Sequence, residues 1–391
     1  MSTLKFKRFT KPHVLKDIGR ALLSKFFARF KDDLEKKKVK LPDPALADEK
    51  YFGDLAGLLF SPEGLPGTLN DALYAIDEMA TEDGQQRLEE SVADEQLPLV
   101  FDEKSSRADI ALQVWLEYPE ILAKKHNEQR LIRLSSFEYY SSPNPTDRSA
   151  TFKKPDAAIL TSLTDALDLW FSQHNRGHKT TKIESHEIDG EFWFVIRHGD
   201  TYARTPKVEE DKRDVIHYRP DKDDVVVYAP DLDEIRIHAG TKGEKQLYRE
   251  KFGLYLFDRE DYFSEFKTYT LEPLRLGKDS LDTEGIPGIR EIILREVEMG
   301  WKGGFNDALV RKSDDVFASA AAYTAHPYNP IHEKAQLIRA AFDVYFGETE
   351  EPRKVQIRPP NILKLSRHCD ARLVNRWLSK KEFRTLAQAQ K

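Results

Sequence analysis

Two short segments in the middle of the chain contain residue types that could catalyse a reaction. The first is RHGDT at 197–201, which follows the apolar run EFWFVI and precedes Arg204. A histidine at the end of a strand can act as a nucleophile, and arginines beside it can hold phosphate through paired hydrogen bonds. The second segment combines Asp221 with Glu234, two carboxylates that could hold Mg²⁺ if their strands were neighbours.

The first segment resembles the RHG signature of the histidine phosphatases. This resemblance implies that His198 is the nucleophile and that Arg197 and Arg204 clamp phosphate. In that family the signature opens a domain with a parallel-rich sheet, and a second histidine follows on a later strand. Here a hairpin partner precedes the signature, and the nearest later match, His326, lies in a loop-like run. The simpler interpretation is that Arg197 and His198 end a strand and form structural hydrogen bonds.

The second segment resembles the PD-(D/E)xK nucleases, which place two acids and a lysine on adjacent strands to bind Mg²⁺ and orient water. Arg236 stands at the lysine position, and arginine cannot readily lose a proton or act as a base. A solvated, charged hairpin therefore explains Asp221 and Glu234 better than a metal site does. The eleven histidines lack metal-ligand spacing, and no glycine-rich phosphate loop is present, so we predict neither a metal nor a cofactor.

The charges of the chain are separated by position. Residues 1–40 contain 13 Lys/Arg and 4 Asp/Glu, and residues 353–391 contain 11 Lys/Arg and 2 Asp/Glu, a net charge of +9 at each end. The intervening segment, 41–352, therefore has a net charge of −24. Such separation indicates either a polyanionic partner for the basic ends or self-association of the ends with the acidic middle.

The C-terminal segment is the strongest candidate for binding nucleic acid. After Pro359-Pro360, Asp370 is a good cap for a helix that runs to about 381, with its buried face on Leu373, Val374, Trp377 and Leu378. This segment resembles a small helix-turn-helix or winged-helix fragment, although it is short for a complete one. The residues expected to contact phosphates are Arg367, Arg372, Arg376, Lys380, Lys381 and Arg384. The alternative is a docking helix with a solvated basic face, placed against the acidic middle.

The remaining composition narrows the class of protein. The chain has 391 residues, of which 40% are hydrophobic, and a single cysteine, Cys369, so internal disulfides are excluded and a reducing cytoplasm is expected. No apolar run approaches the ~20 residues that span a bilayer, and the N-terminus lacks the features of a secretory signal, so no membrane partner is expected.

The pattern of apolar and turn residues predicts a multi-domain α+β protein. We expect a mostly helical domain over 1–140, with one amphipathic helix over 11–38 and capping boxes at Thr68 and Ser106, and then a linker over 141–156. An α+β domain over 157–275 contains a helix at 157–173, a hairpin at Asp189-Gly190, an antiparallel meander and a short helix that ends at Gly253. A mixed, β-rich segment over 276–352 and the basic strand and helix of 353–391 complete the chain.

These observations favour a non-catalytic nucleic-acid-binding protein, with DNA preferred over RNA, that uses the C-terminal segment on the phosphate backbone. Two alternatives remain open. One is an interaction subunit of a bacterial multi-protein system, whose basic ends dock on acidic protein partners. The other is an enzyme, either a phosphohydrolase at His198 or a Mg²⁺-dependent nuclease at Asp221 and Glu234.

Overall fold

The computed structural model describes residues 6–102, 104–132, 134–142, 151–188, 190–209, 212–264, 267–301, 303, 305, 307–322, 328–347, 351–365 and 371–385. It is an α+β protein with a helical N-terminal region and one large antiparallel sheet, which confirms the predicted fold class. The chain divides into two compact units, Met1–Leu131 and Ile132–Lys391. Among the residues described, no helix is long and apolar enough to cross a membrane.

In the first unit, the secondary structure elements that the structure describes are all helices, joined by turns and loops. Its apolar core includes Phe26, whose ring lies 5.2 Å from that of Phe30 and 5.0 Å from that of Trp115, measured between centroids. The helices are α1 (Pro12–Ile18), α2 (Arg20–Ala28), α3 (Lys31–Lys36), α4 (Asp48–Phe60), α5 (Gly67–Met79), α6 (Glu82–Asp94), α7 (Arg107–Glu117) and α8 (Pro119–Ile132).

The prediction of one helix over 11–38 is wrong, because the backbone turns twice within it. Gly19 has φ +83°, which an α-helix cannot accommodate, and it separates α1 from α2. Phe30, with φ −111°, separates α2 from α3. The apolar residues Phe26, Phe30 and Leu34, which recur every four positions in this segment and indicated an amphipathic helix, are nevertheless buried. A four-residue spacing therefore identified the buried side chains but did not require a continuous helix.

The two predicted capping boxes had different outcomes. Ser106 caps α7, because its hydroxyl accepts a hydrogen bond from the backbone N–H of Asp109. Thr68 does not cap α5, which begins one residue earlier, at Gly67, after Pro66. The hydroxyl of Thr68 donates instead to the carboxylate of Asp33.

The second unit is built around a ten-stranded antiparallel sheet whose strand order is β2-β3-β6-β7-β1-β12-β11-β10-β8-β9, while β4 and β5 form a separate two-stranded ribbon. The strands are β1 (Ser136–Ser141), β2 (Lys182–Ile188), β3 (Glu191–Gly199), β4 (Ala203–Glu209), β5 (Lys212–Tyr218), β6 (Asp221–Ala229), β7 (Glu234–His238), β8 (Ile289–Gly300), β9 (Ala308–Lys312), β10 (Gln336–Phe346), β11 (Arg353–Arg358) and β12 (Ile362–Leu365). The helices are α9 (Ala157–Gln173), α10 (Lys242–Phe257), α11 (Val316–Ala322) and α12 (Ala371–Lys380).

Helices cover different parts of the two faces of this sheet. On the side that we call the first face, α9 and α10 pack on β3, β6 and β7, and the rings of Phe194 and Phe252 lie 4.8 Å apart. On the opposite side, the second face, α12 and the residues after it pack on β10, where Phe342 lies 5.6 Å from Trp377 and 5.7 Å from Phe383. Because side chains alternate along a strand, neighbouring residues belong to opposite faces.

Most predicted elements of the second unit are confirmed. The helix at 157–173 has the predicted ends, and β2 and β3 form the predicted hairpin, with Gly190 at φ +78° in its turn. Residues 336–346, within the segment predicted to be β-rich, form a strand that pairs with β11. Half of the predicted linker at 141–156, the residues 143–150, lies outside the described residues. Strands from the segments 157–275, 276–352 and 353–391 all belong to the one sheet.

Gly253 does not end α10, which continues to Phe257. A Cβ atom at this position would lie 2.5 Å from the carbonyl oxygen of Arg259, so the glycine allows the chain after the helix to fold back closely against it. The helix ends instead at Asp258, whose φ of +57° is left-handed.

Candidate functional site

His198 is enclosed in the core of the second unit, out of contact with solvent. Its side chain is fully buried, and its ring stacks on Phe171 with 4.0 Å between centroids. Nδ1 lies 2.9 Å from the carbonyl oxygen of Gly199, and Nε2 lies 3.0 Å from Oδ2 of Asp224. Both ring nitrogens therefore have structural partners, as the simpler interpretation of the RHG segment expected.

The two arginines of the phosphatase hypothesis lie away from the His198 ring. Arg197 precedes His198 on β3 and so points to the opposite face, where its guanidinium lies 3.1 Å from Asp223 and 3.6 Å from Asp221. Arg204 is exposed on β4 of the separate ribbon. The structure does not assemble a nucleophile and a phosphate clamp from these three residues. His326 lies outside the described residues.

The two carboxylates of the nuclease hypothesis lie at opposite ends of a hairpin. Asp221 begins β6, whereas Glu234 pairs with Ala229 at the other end of that strand. Eight residues of extended chain correspond to ~26 Å. One Mg²⁺ ion cannot bridge that distance. Arg236, at the lysine position of the motif, is buried and donates from NH1 to Glu191 over 2.8 Å.

A cluster of buried charged residues surrounds His198, and its two carboxylates, Asp224 and Glu244, were not among the predicted site residues. Asp224 of β6 accepts hydrogen bonds from His198 and, over 2.8 Å, from the hydroxyl of Tyr248. The ammonium of Lys222 lies 3.1 Å from Asp224 and 2.8 Å from Glu244 of α10. Glu244 is also the capping-box residue of α10, since it accepts from the backbone N–H of Thr241. Threonine three residues before glutamate was the signal that could have located Glu244.

The surroundings keep Asp224 charged and Tyr248 neutral. Burial raises the pKa of the Asp224 carboxyl, but the hydrogen bond from His198, the charge of Lys222 and the hydrogen bond from Tyr248 together lower that pKa below its ordinary value. Burial, together with the negative charge of Asp224, raises the pKa of Tyr248 well above its ordinary value. The tyrosine hydroxyl therefore remains a donor to the carboxylate.

The cluster also contains a set of groups with the spacing of a metal site. One ligand atom each from His198, Asp224 and Glu244 lies within 4.8 Å of the other two. However, the Lys222 ammonium already contacts both carboxylates, and Arg176 lies 3.3 Å from Glu244. These two cations balance the two acids, so a divalent ion would have to displace Lys222. We assign this cluster a structural role, because it ties α10 to β3, β6 and the turn after α9.

The basic C-terminal residues fall into two groups. Arg372 and Arg376 are exposed, one turn apart on α12, and no described residue forms an ion pair with either. Lys380 and Lys381 instead contact the loop around 279–284, where Lys381 lies 2.9 Å from Asp282 and Lys380 donates to the carbonyl of Glu284. The second group agrees with the docking-helix alternative. Arg367, Cys369 and the predicted cap Asp370 lie outside the described residues.

Arg384 is buried and forms an ion pair with Glu234, with 2.7 Å between NH2 and Oε2. It was predicted to contact phosphate, but its guanidinium lies beneath the surface with only 6% of the side chain exposed. Glu234, the other member of the pair, was a candidate metal ligand. Each residue therefore satisfies the other, and neither is available to a ligand at the surface.

Three other cations of the C-terminal segment are exposed on the first face of the sheet. A row of paired residues crosses four neighbouring strands, from Ile237 of β7 through Glu138 of β1 and Ile362 of β12 to Arg358 of β11. Because Ile237 packs in the core with α10, Arg358 lies on the same face of the sheet as α10. Lys354 and Lys364 also point to the first face. Lys354 and Gln356 alternate with Arg358 on the same side of β11, and Lys364 is the residue of β12 that pairs with Gln356. Within the described chain, Lys354, Arg358 and Lys364 form no ion pair.

These strands also line a cavity of about 240 Å³ beside α10. Its polar lining comes from three strands and one helix: Ser136 and Glu138 of β1, Gln356 and Arg358 of β11, Lys364 of β12 and Lys245 of α10. Lys245 forms an ion pair with Glu138, and Glu138 also accepts from the hydroxyl of Tyr140 over 2.7 Å. The polar groups of this cavity are suited to binding an anion.

No protein-family model matches the chain, and no curated protein matches its sequence.

Proposed function

We propose that this protein is a non-catalytic nucleic-acid-binding protein and that its phosphate contacts come from β11 and β12 on the first face of the sheet. The observation that carries the proposal is that Lys354, Arg358 and Lys364 share this face, are exposed, and lack an ion pair in the described chain. Unpaired cations grouped on one surface provide the sequence-independent attraction of proteins for phosphate backbones.

The contrast with the neighbouring strands supports this proposal. Arg295 of β8 lies 3.3 Å from Asp343, and Arg339 of β10 lies 3.0 Å from Glu298. These two arginines are thus neutralised by carboxylates of β8 and β10, whereas Arg290 at the start of β8 donates to the carbonyl oxygen of Gly347. Lys354, Arg358 and Lys364 on β11 and β12 have no such carboxylate among the described residues, so they can bind an external anion.

The spacing of the three cations suits an extended phosphate backbone. Lys354 and Arg358 are four residues apart on β11, which corresponds to ~13 Å, and Lys364 lies opposite Gln356, midway between them. Contacts of this kind position a nucleic acid without reading its bases. The arrangement therefore favours binding with little sequence preference.

The exposed arginines of α12 provide a matched comparison. Arg372 and Arg376 belong to the same basic segment, but their helix packs on the second face of the sheet. A short, straight duplex would contact one group or the other. Substitutions in the two groups should therefore have different effects if only one of them forms the interface.

The test is fluorescence anisotropy with a ~25-base-pair DNA duplex and a matched RNA over a salt series. We expect the variant K354A/R358A/K364A to lose most of its affinity and the log–log salt slope to fall by about 2 to 3, since each phosphate contact contributes about 0.9. The variant R372A/R376A should bind like the unmodified protein. Thermal unfolding of both variants controls for misfolding.

Two results would overturn the proposal. If the unmodified protein fails to bind at low salt, nucleic-acid binding is excluded and the basic residues should be tested as docking surfaces by partner pull-down. If R372A/R376A loses binding and the triple variant does not, the interface lies on α12 rather than on the first face. A partner protein that co-purifies after nuclease treatment would support the interaction-subunit alternative.

A further inference from the structure

The cavity beside α10 has the charge, donors and size of a site for a phosphate group at the end of a chain. We infer that it binds a terminal phosphate monoester of a nucleic-acid strand, with Arg358 and Lys364 as the residues that recognise the phosphate. This inference rests on the proposed function and adds a preference for phosphorylated ends. Strands β7, β1, β12 and β11 form the floor of the cavity, and Lys245 of α10 stands at its side.

The charge of the cavity matches a monoester better than an internal phosphodiester. Of the three cations in its lining, Lys245 is neutralised by Glu138, whereas Arg358 and Lys364 have no carboxylate partner in the described chain. The cavity thus has two uncompensated positive charges. A phosphate monoester carries a charge of about −1.5 to −2 at neutral pH, whereas an internal diester carries about −1.

The remaining polar groups of the cavity can complete the recognition of a phosphate. The Arg358 guanidinium offers a planar set of donors that fits two phosphate oxygens at once, and the Lys364 ammonium adds a further charged donor. Ser136 and Gln356 contribute a hydroxyl and an amide.

The size of the cavity limits what it can contain. Its volume of about 240 Å³ is below the ~300–1,000 Å³ of pockets that enclose a drug-sized ligand. A phosphate with its attached sugar is therefore the expected occupant, and the next nucleotides must lie outside it. Lys354, on the same strand as Arg358 but outside the cavity lining, lies where an outgoing backbone could be contacted.

The test compares single-stranded oligonucleotides of one sequence with a 5′-phosphate, a 3′-phosphate or hydroxyl ends. We expect at least one phosphorylated form to bind about tenfold more tightly than the hydroxyl form. In R358A/K364Q this ratio should fall to about one. In K354A the affinity for every oligonucleotide should fall while the ratio is retained, and ribose 5-phosphate should compete with the phosphorylated oligonucleotide.

The outcomes separate this inference from the proposed function. If the three oligonucleotides bind the unmodified protein equally, the terminal-phosphate inference is wrong and the nucleic-acid proposal stands. If no oligonucleotide binds but ribose 5-phosphate perturbs the NMR signals of the cavity residues in an Arg358-dependent way, the cavity is a phosphate site and the nucleic-acid proposal fails. If neither ligand binds, both ideas are rejected.

Discussion

Glu234 and Arg384 are 150 residues apart in the chain and form a buried ion pair, with their side chains 2% and 6% exposed. The pair joins the first residue of β7 to the segment that follows α12. Burial lowers the pKa of the Arg384 guanidinium, but the negative charge of Glu234 opposes this effect, and the pKa is raised overall. The guanidinium therefore remains charged, and the ion pair holds the C-terminal segment against the sheet.

Removal of one partner should destabilise the protein strongly. Arg384→Ala leaves Glu234 charged and buried, and we expect the free energy of unfolding to fall by about 3 to 5 kcal/mol, measured by urea unfolding. The paired substitution E234L/R384M should recover much of this loss, because it removes both charges. Arg372→Ala, on the exposed face of α12, is the control and should change the free energy by less than ~0.5 kcal/mol. Equal effects of the two arginine substitutions would show that burial of the pair is not important.

Two glycines in helices should respond in opposite directions to substitution by alanine. In Gly253→Ala the new Cβ would lie 2.5 Å from the Arg259 carbonyl oxygen, and we expect a loss of about 1 to 3 kcal/mol. Gly57→Ala, in α4, meets no atom within 4 Å and should stabilise the protein by about 0.5 to 1 kcal/mol. Thermal and urea unfolding measure both changes. A stabilised Gly253→Ala variant would contradict the close approach.

Lys222 should be essential to the buried charge cluster. Lys222→Met removes the ammonium that contacts both Asp224 and Glu244, so two buried carboxylates lose their shared cation. We expect the free energy of unfolding to fall by about 3 kcal/mol. The control is Lys242→Met, at the exposed start of α10, which should have little effect. If both variants unfold at the urea concentration of the unmodified protein, the ion pairs contribute nothing to stability.

The stability contributed by Asp168 should depend on pH. Burial raises the pKa of its carboxyl, but hydrogen bonds from the backbone N–H groups of Lys179, Thr180 and Thr181 and from the Thr181 hydroxyl lower it below the ordinary value overall. A carboxyl with a lowered pKa stabilises the fold above its unfolded pKa of about 3.9. That contribution is lost as the pH falls through the folded pKa.

Asp168→Asn is therefore expected to cost about 1 to 3 kcal/mol at pH 7. The difference between Asp168→Asn and the unmodified protein should remain constant down to about pH 5 and then shrink as the acid becomes protonated. Urea unfolding from pH 7 to pH 3 measures this difference. A difference that grows towards low pH would have the wrong sign for a carboxyl with a lowered pKa.

Local patterns in the sequence determined most of the secondary structure of the second unit. Helix α9 has the predicted ends because Asp156 caps it, accepting from the N–H of Ile159 over 2.8 Å, and because its apolar residues recur at helical spacing. The hairpin of β2 and β3 follows from Gly190, whose left-handed backbone suits a two-residue turn. Both signals lie within the element that they specify.

Only the tertiary structure decided which charged side chains are free to act. By composition Arg384 and Arg358 are equivalent members of one basic segment, yet the first is buried against Glu234 and the second is exposed beside a cavity. Likewise Arg197 and His198 are adjacent in the sequence but point to opposite faces of β3. The sequence by itself determined the local elements, because they depend on near neighbours. The partner of each charge depends on the order of strands in the sheet, which brings together residues more than a hundred positions apart.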